Sequence, residues 1–288
     1  MPKDVKPLTP DEQRFYIESL EADGFTVAKE PPRTRAAIKL KTPKPGGKVR
    51  LAIVSDTHLG NRAQQLTHLH DFYRTADEWG AEAFLHGGDF VDGLHVHRDA
   101  VYHQFAHGFD AQLKYAAREY PVSKNGPTYA IEGNHDLWYF GNAGASPIEW
   151  LAEKRKDILY LGHDAAFIEV GGLRMLLQHG RKGGAYAKSY KLQKILEQMR
   201  VEERSGTHLA FFGHWHTDLY LGRYQGVFTW GLPCFQAQTS YERSEVNKHP
   251  VVGGLLLEVE FTRDMKVWDI TPRFRYYEPL VDDYPGLK

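Results

Sequence analysis

The feature that most constrains the fold of this chain is a repeated pattern in which a short apolar run ends abruptly in polar residues. The pattern occurs five times from residue 49 onward and is typical of buried strands that end at the edge of a sheet. The five runs, each with the polar residues that follow it, are Val49 to Val54 with Ser55-Asp56-Thr57-His58, Ala83 to Leu85 with His86-Gly87-Gly88-Asp89, Tyr129 to Ile131 with Glu132-Gly133-Asn134-His135-Asp136, Met175 to Leu177 with Gln178-His179-Gly180, and Leu209 to Phe212 with Gly213-His214-Trp215-His216. Each run therefore places candidate ligands at the carboxyl end of a predicted strand.

Helical patterns separate these predicted strands. Apolar residues recur every three or four positions from Leu66 to Trp79, and similar spacing occurs between residues 100 and 120 and between 185 and 204. Alternation of strands and helices favours crossover connections, whereas Gly171-Gly172 between two apolar runs indicates a hairpin. Strand-like segments continue from Leu219 to the carboxyl terminus. We therefore predict an α/β fold, a mixed two-sheet β-sandwich flanked by helices.

The first 48 residues differ in composition from the rest. Thr9-Pro10-Asp11-Glu12 is a good helix start, and the apolar residues that follow it predict one short helix before Gly24. The segment from Lys29 to Arg50 is rich in lysine, arginine and proline. It fits either a solvated linker or a basic arm that contacts phosphate. We predict an N-terminal helix and basic linker over residues 1–48 and a single domain over 49–288.

Composition limits the class of protein. The 288 residues provide enough chain for a large buried core, and hydrophobic and charged fractions of 42% and 25% are ordinary for a globular protein. No apolar stretch approaches the roughly 20 residues that span a bilayer, and no apolar signal region follows Met1. We expect a cytoplasmic protein without a membrane partner. The single cysteine, Cys234, excludes an internal disulfide and thiolate clusters, so a metal would have nitrogen and oxygen ligands.

Two residue pairs are spaced to share a ligand. In an extended segment residues i and i+2 point the same way, so Asp56 with His58, and His214 with His216, are each directed at one point. Carboxylate, imidazole and amide groups together suit borderline divalent ions better than Mg²⁺ or Ca²⁺. We predict two divalent ions, Mn²⁺ first, with Fe, Zn, Ni or Co as alternatives.

The motifs closely resemble those of the calcineurin-like metallophosphoesterase superfamily over roughly residues 49 to 270. They are, in order, Asp56-x-His58, Gly88-Asp89-x-x-Asp92, Gly133-Asn134-His135-Asp136, His179 and Gly213-His214-x-His216. The resemblance implies that Asp56, His58, Asp89 and His216 hold one metal. It implies that Asp89, Asn134, His179 and His214 hold the other, with Asp89 bridging the two.

The same resemblance implies a mechanism of phosphoester hydrolysis. A hydroxide that bridges the metals would be the nucleophile, and His135 would protonate the leaving oxygen, paired with Asp92. The protein phosphatases of this superfamily have an arginine after that aspartate, whereas this chain has Gly93, which argues against phosphoprotein substrates. Arg181 and Lys182 directly follow the His179 motif and are candidate phosphate contacts.

A second, local resemblance concerns the substrate. The stretch from Gly213-His214-x-His216 through Phe235-Gln236-Ala237-Gln238-Thr239 is similar to part of the nuclease small subunit of archaeal D-family DNA polymerases and, less specifically, to SbcD-type nucleases. This resemblance favours a phosphodiesterase or nuclease. Because the net charge of -1 does not suit binding to an extended duplex, the expected substrates are DNA ends, single strands or nucleotides. A phosphomonoesterase or cyclic-nucleotide phosphodiesterase is the alternative, and a non-catalytic scaffold with this fold is the second alternative. The sequence leaves protein partners open.

Overall fold

The structure, a computed structural model, describes residues 36–94, 100–180, 188–240, 242–243, 249–265 and 268–282. The chain divides at residue 35, and all described residues belong to the unit Ala36–Lys288. The helix predicted before Gly24 lies outside the described residues, as do Arg181 and Lys182.

The described residues form two six-stranded sheets. Sheet I has the strand order β12-β11-β2-β3-β4-β5, and sheet II has the order β1-β6-β7-β8-β10-β9. The strands are β1 (Ala36–Lys39), β2 (Lys48–Val54), β3 (Ala83–His86), β4 (Thr128–Ala130), β5 (Ile158–Tyr160), β6 (Ala165–Val170), β7 (Leu173–His179), β8 (Leu209–Gly213), β9 (Leu219–Tyr224), β10 (Val227–Gly231), β11 (Gly253–Phe261) and β12 (Trp268–Tyr276). In sheet I the strands β2 to β5 run parallel, while β11 is antiparallel to β2. In sheet II the strands β7 and β8 run parallel.

Helices cover the outer faces of the two sheets. Their bounds are α1 (Leu66–Trp79), α2 (Ala100–His103), α3 (Gly108–Glu119), α4 (Asn134–Ala143), α5 (Pro147–Lys154), α6 (Lys188–Gln198) and α7 (Val201–Ser205). Leu69, Phe72 and Ala76 of α1 pack on sheet I, and Leu192 and Leu196 of α6 pack on sheet II. The order of layers is helix, sheet, sheet, helix, which confirms the predicted fold class.

Side-chain alternation along β2 explains how one strand serves two layers. Leu51 and Ile53 face the core between the sheets, while Ala52 and Val54 face the helices of the outer layer. All four are at most 1% exposed, so the strand is buried on both faces, as its continuous apolar run predicts. The core between the sheets also includes Trp230 of sheet II.

Two local predictions have different outcomes. The hairpin at Gly171-Gly172 is confirmed, since it joins the antiparallel strands β6 and β7 and both glycines have positive φ. The predicted basic linker, by contrast, contains the strand β1, which pairs in parallel with β6. Ile38 and Leu40 pack against the core between the sheets, and this apolar contact places the segment in the domain. The described domain thus begins before residue 49.

Candidate metal centre

All seven predicted metal ligands lie in the described residues, at the carboxyl ends of five strands. Sheet I contributes them after β2, β3 and β4, and sheet II at or after β7 and β8. They are Asp56, His58, Asp89, Asn134, His179, His214 and His216. Because the two sheets stack with these strand ends on the same side, residues far apart in sequence meet at one edge of the sandwich.

One group of possible ligands combines both sheets. Ligand atoms of Asp56, His58 and His216 all lie within 4.8 Å of one another. Nε2 of His216 is 3.2 Å from Oδ1 of Asp56 and 3.3 Å from Nε2 of His58. We call this group the first cluster. Two imidazole nitrogens and a carboxylate oxygen that converge in this way form a donor set for one divalent ion.

A second cluster lies beside the first. It consists of Asp89, His179 and His214, whose ligand atoms also lie within 4.8 Å of one another. The amide oxygen Oδ1 of Asn134 is 3.1 Å from Nε2 of His179 and 2.8 Å from Nδ1 of His214. The amide therefore completes a set of two nitrogens and two oxygens.

Asp89 lies between the two clusters. Its Oδ2 is 3.2 Å from Nε2 of His179 in the second cluster and 3.8 Å from Nε2 of His58 in the first. Its other oxygen, Oδ1, accepts a hydrogen bond of 2.8 Å from the main-chain N–H of His135. A carboxylate in this position can be shared by two ions, as the bridging role requires.

The backbone of the ligand loops is strained. In the described residues seven non-glycine residues have positive φ, and five of these are predicted ligands: Asp56, His58, Asp89, His214 and His216. Left-handed backbone costs energy in residues with a Cβ atom and persists where the surrounding structure enforces it, commonly at functional sites. The strain thus coincides with the proposed metal centre.

Electrostatics favour a cation at this place. Burial opposes ionisation of Asp56 and Asp89, but the imidazoles of His216 and His179 respectively hold both pKa values below the usual range. Burial also lowers the pKa of His179, and the Asp89 carboxylate more than offsets this and raises it to about 9. The negative charge that keeps a proton on the buried imidazole of His179 would equally stabilise a bound divalent ion. The donors present therefore fit the two-metal prediction.

His135 lies next to the centre but pairs differently from the expectation. Its Nε2 is 4.0 Å from Oδ2 of Asp89, and its Nδ1 donates to the main-chain carbonyl of Asp92 at 2.7 Å. The Asp92 carboxylate instead faces Nδ1 of His58 at 3.3 Å and accepts from Asn61 and Gln104. The predicted pairing with His135 thus runs through the backbone of Asp92, because its side chain points to the first cluster.

The backbone at Gly93 explains why this chain lacks the arginine that follows the aspartate in the protein phosphatases of the superfamily. Its φ is +77°, and a Cβ atom at this position would lie 2.4 Å from the carbonyl oxygen of His135. Any side chain would therefore have to displace the main chain that carries His135. The structure allows no arginine at position 93 without moving that backbone.

Two buried acids to which the sequence motifs assigned no role support the centre. Asp136 accepts main-chain N–H bonds from Phe90, Val91 and Gly133 and so ties the loops after β3 and β4 together. Glu242 places Oε1 at 3.1 Å from Nδ1 of His216. The spacing Thr239-x-x-Glu242 is a capping pattern that could have drawn attention to this acid.

The chain belongs to the calcineurin-like phosphoesterase superfamily. The sequence model described as "Calcineurin-like phosphoesterase superfamily domain" matches residues 49–228. A search of curated proteins finds no match. Among solved structures the chain is similar to Vps29 of Chaetomium thermophilum, with 10% sequence identity and a TM-score of 0.42, over 81% of this chain and 100% of that one. In the described residues no helix is long and apolar enough to cross a membrane.

Proposed function

We propose that the protein is a two-metal-dependent phosphodiesterase that acts on DNA ends, single strands or nucleotides. The observation that carries this proposal is the pair of adjacent clusters with Asp89 between them and His135 beside them. Family membership supports a phosphoester as substrate. Two bound ions would supply an activated water and offset the charge that develops on the phosphoryl group. Mn²⁺ is the ion we propose first.

His135 is the proposed general acid. Its Nδ1 donates to the Asp92 carbonyl, so Nε2 is the nitrogen left to carry and release a proton near the centre. The ring lies 4.0 Å from the ring of Trp138 and 4.5 Å from that of His58, measured between centroids, and these contacts fix its orientation. A positioned acid of this kind contributes most where the leaving oxygen is a poor leaving group.

Aromatic side chains near the centre support a substrate with bases. Trp215 follows His214, and their ring centroids are 5.3 Å apart. Trp138 in α4 is half-buried, and its ring centroid lies 4.0 Å from that of His135. Exposed and half-buried aromatic rings beside a phosphate site can stack on nucleobases. A phosphoester without a base would gain nothing from such surfaces, which is why we favour nucleic acid or nucleotides.

Hydrolysis by the metal-free protein resupplied with Mn²⁺ tests the proposal. The substrates are single-stranded DNA, duplex DNA, cyclic nucleotides and the mono- and diesters of p-nitrophenol. We expect cleavage of DNA and of the diester, and a loss of about 10²- to 10⁴-fold on DNA in His135→Ala. The loss should be smaller on p-nitrophenyl diesters, since p-nitrophenolate leaves without protonation.

The other outcomes separate the alternatives. Activity confined to monoesters or cyclic nucleotides would retain the metal centre and overturn the nucleic-acid substrate. No hydrolysis of any substrate by the metal-loaded protein would overturn the enzymatic proposal and favour a scaffold. Equal activity of His135→Ala and wild type on DNA would remove His135 from its proposed role.

A further inference from the structure

The two imidazoles of the first cluster have outer contacts of the same kind. Nε2 of both His58 and His216 points into the cluster, while Nδ1 of each faces a carboxylate. For His58 that carboxylate is Asp92, at 3.3 Å, and for His216 it is Glu242, at 3.1 Å. A carboxylate beside the outer nitrogen favours the tautomer with the hydrogen on Nδ1, which leaves the Nε2 lone pair directed at the metal.

The second cluster is held differently. Nδ1 of His179 donates to the main-chain carbonyl oxygen of Gly87 at 2.7 Å. His214 directs Nδ1, not Nε2, toward the Asn134 amide in the cluster. Nδ1 of His179 therefore faces a neutral carbonyl, whereas Nδ1 of both histidines of the first cluster faces an anion. An anionic partner makes an imidazole a stronger ligand and adds negative charge near the ion.

Glu242 is fixed in place by its second oxygen. Oε2 accepts the main-chain N–H of Thr239 at 3.0 Å and its hydroxyl at 3.2 Å, and the residue is 6% exposed. The carboxylate is thus oriented before a metal binds. Glu242 also lies beyond residue 228, where the match to the superfamily ends, so family membership does not assign it a role.

We propose that Glu242 is a positioning residue that orients His216, and that the cluster of Asp56, His58 and His216 is consequently the tighter of the two metal sites. This inference rests on the proposed two-metal function. It predicts stepwise metal binding in which the first cluster fills before the second. Loss of an outer carboxylate typically lowers metal affinity about 10- to 100-fold.

The test measures binding, not catalysis. Metal-free wild type and Glu242→Gln are titrated with Co²⁺ by calorimetry, and the visible absorption of bound Co²⁺ is recorded at each step. Glutamine keeps the size of the side chain and an oxygen for Thr239, but it presents an N–H group to Nδ1 of His216. We expect two ions in wild type, and in Glu242→Gln a loss of about 10- to 100-fold at the tighter site only.

Two controls separate positioning from a structural effect. Glu258→Gln changes another buried carboxylate, which pairs with Arg50 on sheet I away from the centre, and should leave both affinities within about threefold of wild type. Glu242→Asp should recover part of the lost affinity, because it restores the carboxylate.

Several outcomes would overturn the inference. Unchanged affinities in Glu242→Gln would do so, as would an equal loss in Glu258→Gln, which would make the loss a general effect of removing a buried carboxylate. A loss at the weaker site only would reverse the order of the clusters while leaving the proposed function intact. Absence of metal binding by wild type would overturn both.

Discussion

Sheets I and II have the same number of strands but supply different parts of the centre. Sheet I, with its parallel strands β2, β3 and β4, supplies two carboxylates, one imidazole and the amide. Sheet II, through β7 and β8, supplies three imidazoles. Each cluster contains residues from both sheets, since His216 joins Asp56 and His58, and His179 joins Asp89. Neither of these two clusters is complete within one sheet, so the centre depends on how the sheets pack.

The apolar layer between the sheets sets this packing. Leu257 of sheet I and Leu177 of sheet II are fully buried in it, together with Phe211 and Trp230. Side chains that interdigitate at crystal-like density hold two sheets in one relative position. We therefore expect substitutions in the apolar layer to affect the centre through the stability of the domain. Substitutions of single ligands should affect metal binding locally.

The largest expected effect is that of Asp89→Asn, which changes the residue that lies between the two clusters. Removing its charge should reduce hydrolysis of the p-nitrophenyl diester by about 10³-fold or more, since charge compensation by metal ions contributes several kcal/mol. Calorimetry should show fewer than two ions bound per chain. Asp110→Asn on the exposed surface of α3 is the control and should keep wild-type activity. Two ions and full activity in Asp89→Asn would show that the clusters are independent.

The next effect tests the apolar layer. Leu257→Ala should lower the free energy of unfolding by about 2–5 kcal/mol, because it leaves a cavity between the sheets. Urea denaturation of the metal-free protein measures this change. Val122→Ala, at a position that is 62% exposed, should cost less than about 0.5 kcal/mol. If Leu257→Ala also lowers metal affinity under conditions where it stays folded, the core shapes the centre directly.

Bound metal should stabilise the packing of the two sheets against each other. Mn²⁺ at about 100 times its dissociation constant should raise the free energy of unfolding by about 2.7 kcal/mol per site, because the unfolded chain lacks the centre. Urea denaturation with and without Mn²⁺ gives the difference. His216→Ala removes the ligand that sheet II contributes to the first cluster. It should therefore abolish part of the Mn²⁺-dependent increase in the free energy of unfolding. A gain of the same size in His216→Ala would place the bound metal elsewhere.

The smallest effect concerns His86, at the end of β3. Its Nδ1 accepts the N–H of Gly88 and its Nε2 donates to Thr57, so both nitrogens are used by the neutral ring. Burial lowers its pKa to about 3. Below pH 6.5 the unfolded chain binds a proton that the folded protein does not, so the free energy of unfolding falls as the pH falls. The slope from His86 is at most about 1.4 kcal/mol per pH unit.

Urea denaturation of the metal-free protein between pH 5 and 6.5 measures this slope. His86→Asn, whose side chain does not titrate, should show a slope that is smaller by that amount. Equal slopes in the two proteins would mean that His86 titrates alike in both states and that its buried hydrogen bonds do not resist protonation.

The sequence predicted most of the fold because its strands are buried on both faces. Runs such as Val49 to Val54 lack polar interruptions, and their abrupt polar ends marked the edge where the ligands meet. The strand β1 escaped prediction because lysines and prolines surround its four residues, and only contact with the core makes it a strand. Helix α4 also escaped prediction, since its first residues were interpreted as ligands alone.

The candidate site was predictable in its members but not in its contacts. Ligand types and their spacing are local, and the structure brings all seven together. Which group faces the outer nitrogen of an imidazole depends on loops from distant parts of the chain. Asp92 and His58 are 34 residues apart in sequence, and Glu242 and His216 are 26 apart. No local sequence pattern predicts either contact. The orientation of the Asp92 side chain was therefore beyond sequence reasoning.

The separation of the first cluster along the chain has a consequence for synthesis on the ribosome. His58 and His216 are 158 residues apart, and the core strand β11 follows both. A nascent chain that has exposed only the first half offers Asp56 and His58 without their partner. Contacts over such separations form late and slowly in folding. The centre can therefore assemble only after nearly all of the domain has been translated, which keeps metal chemistry out of the incomplete protein.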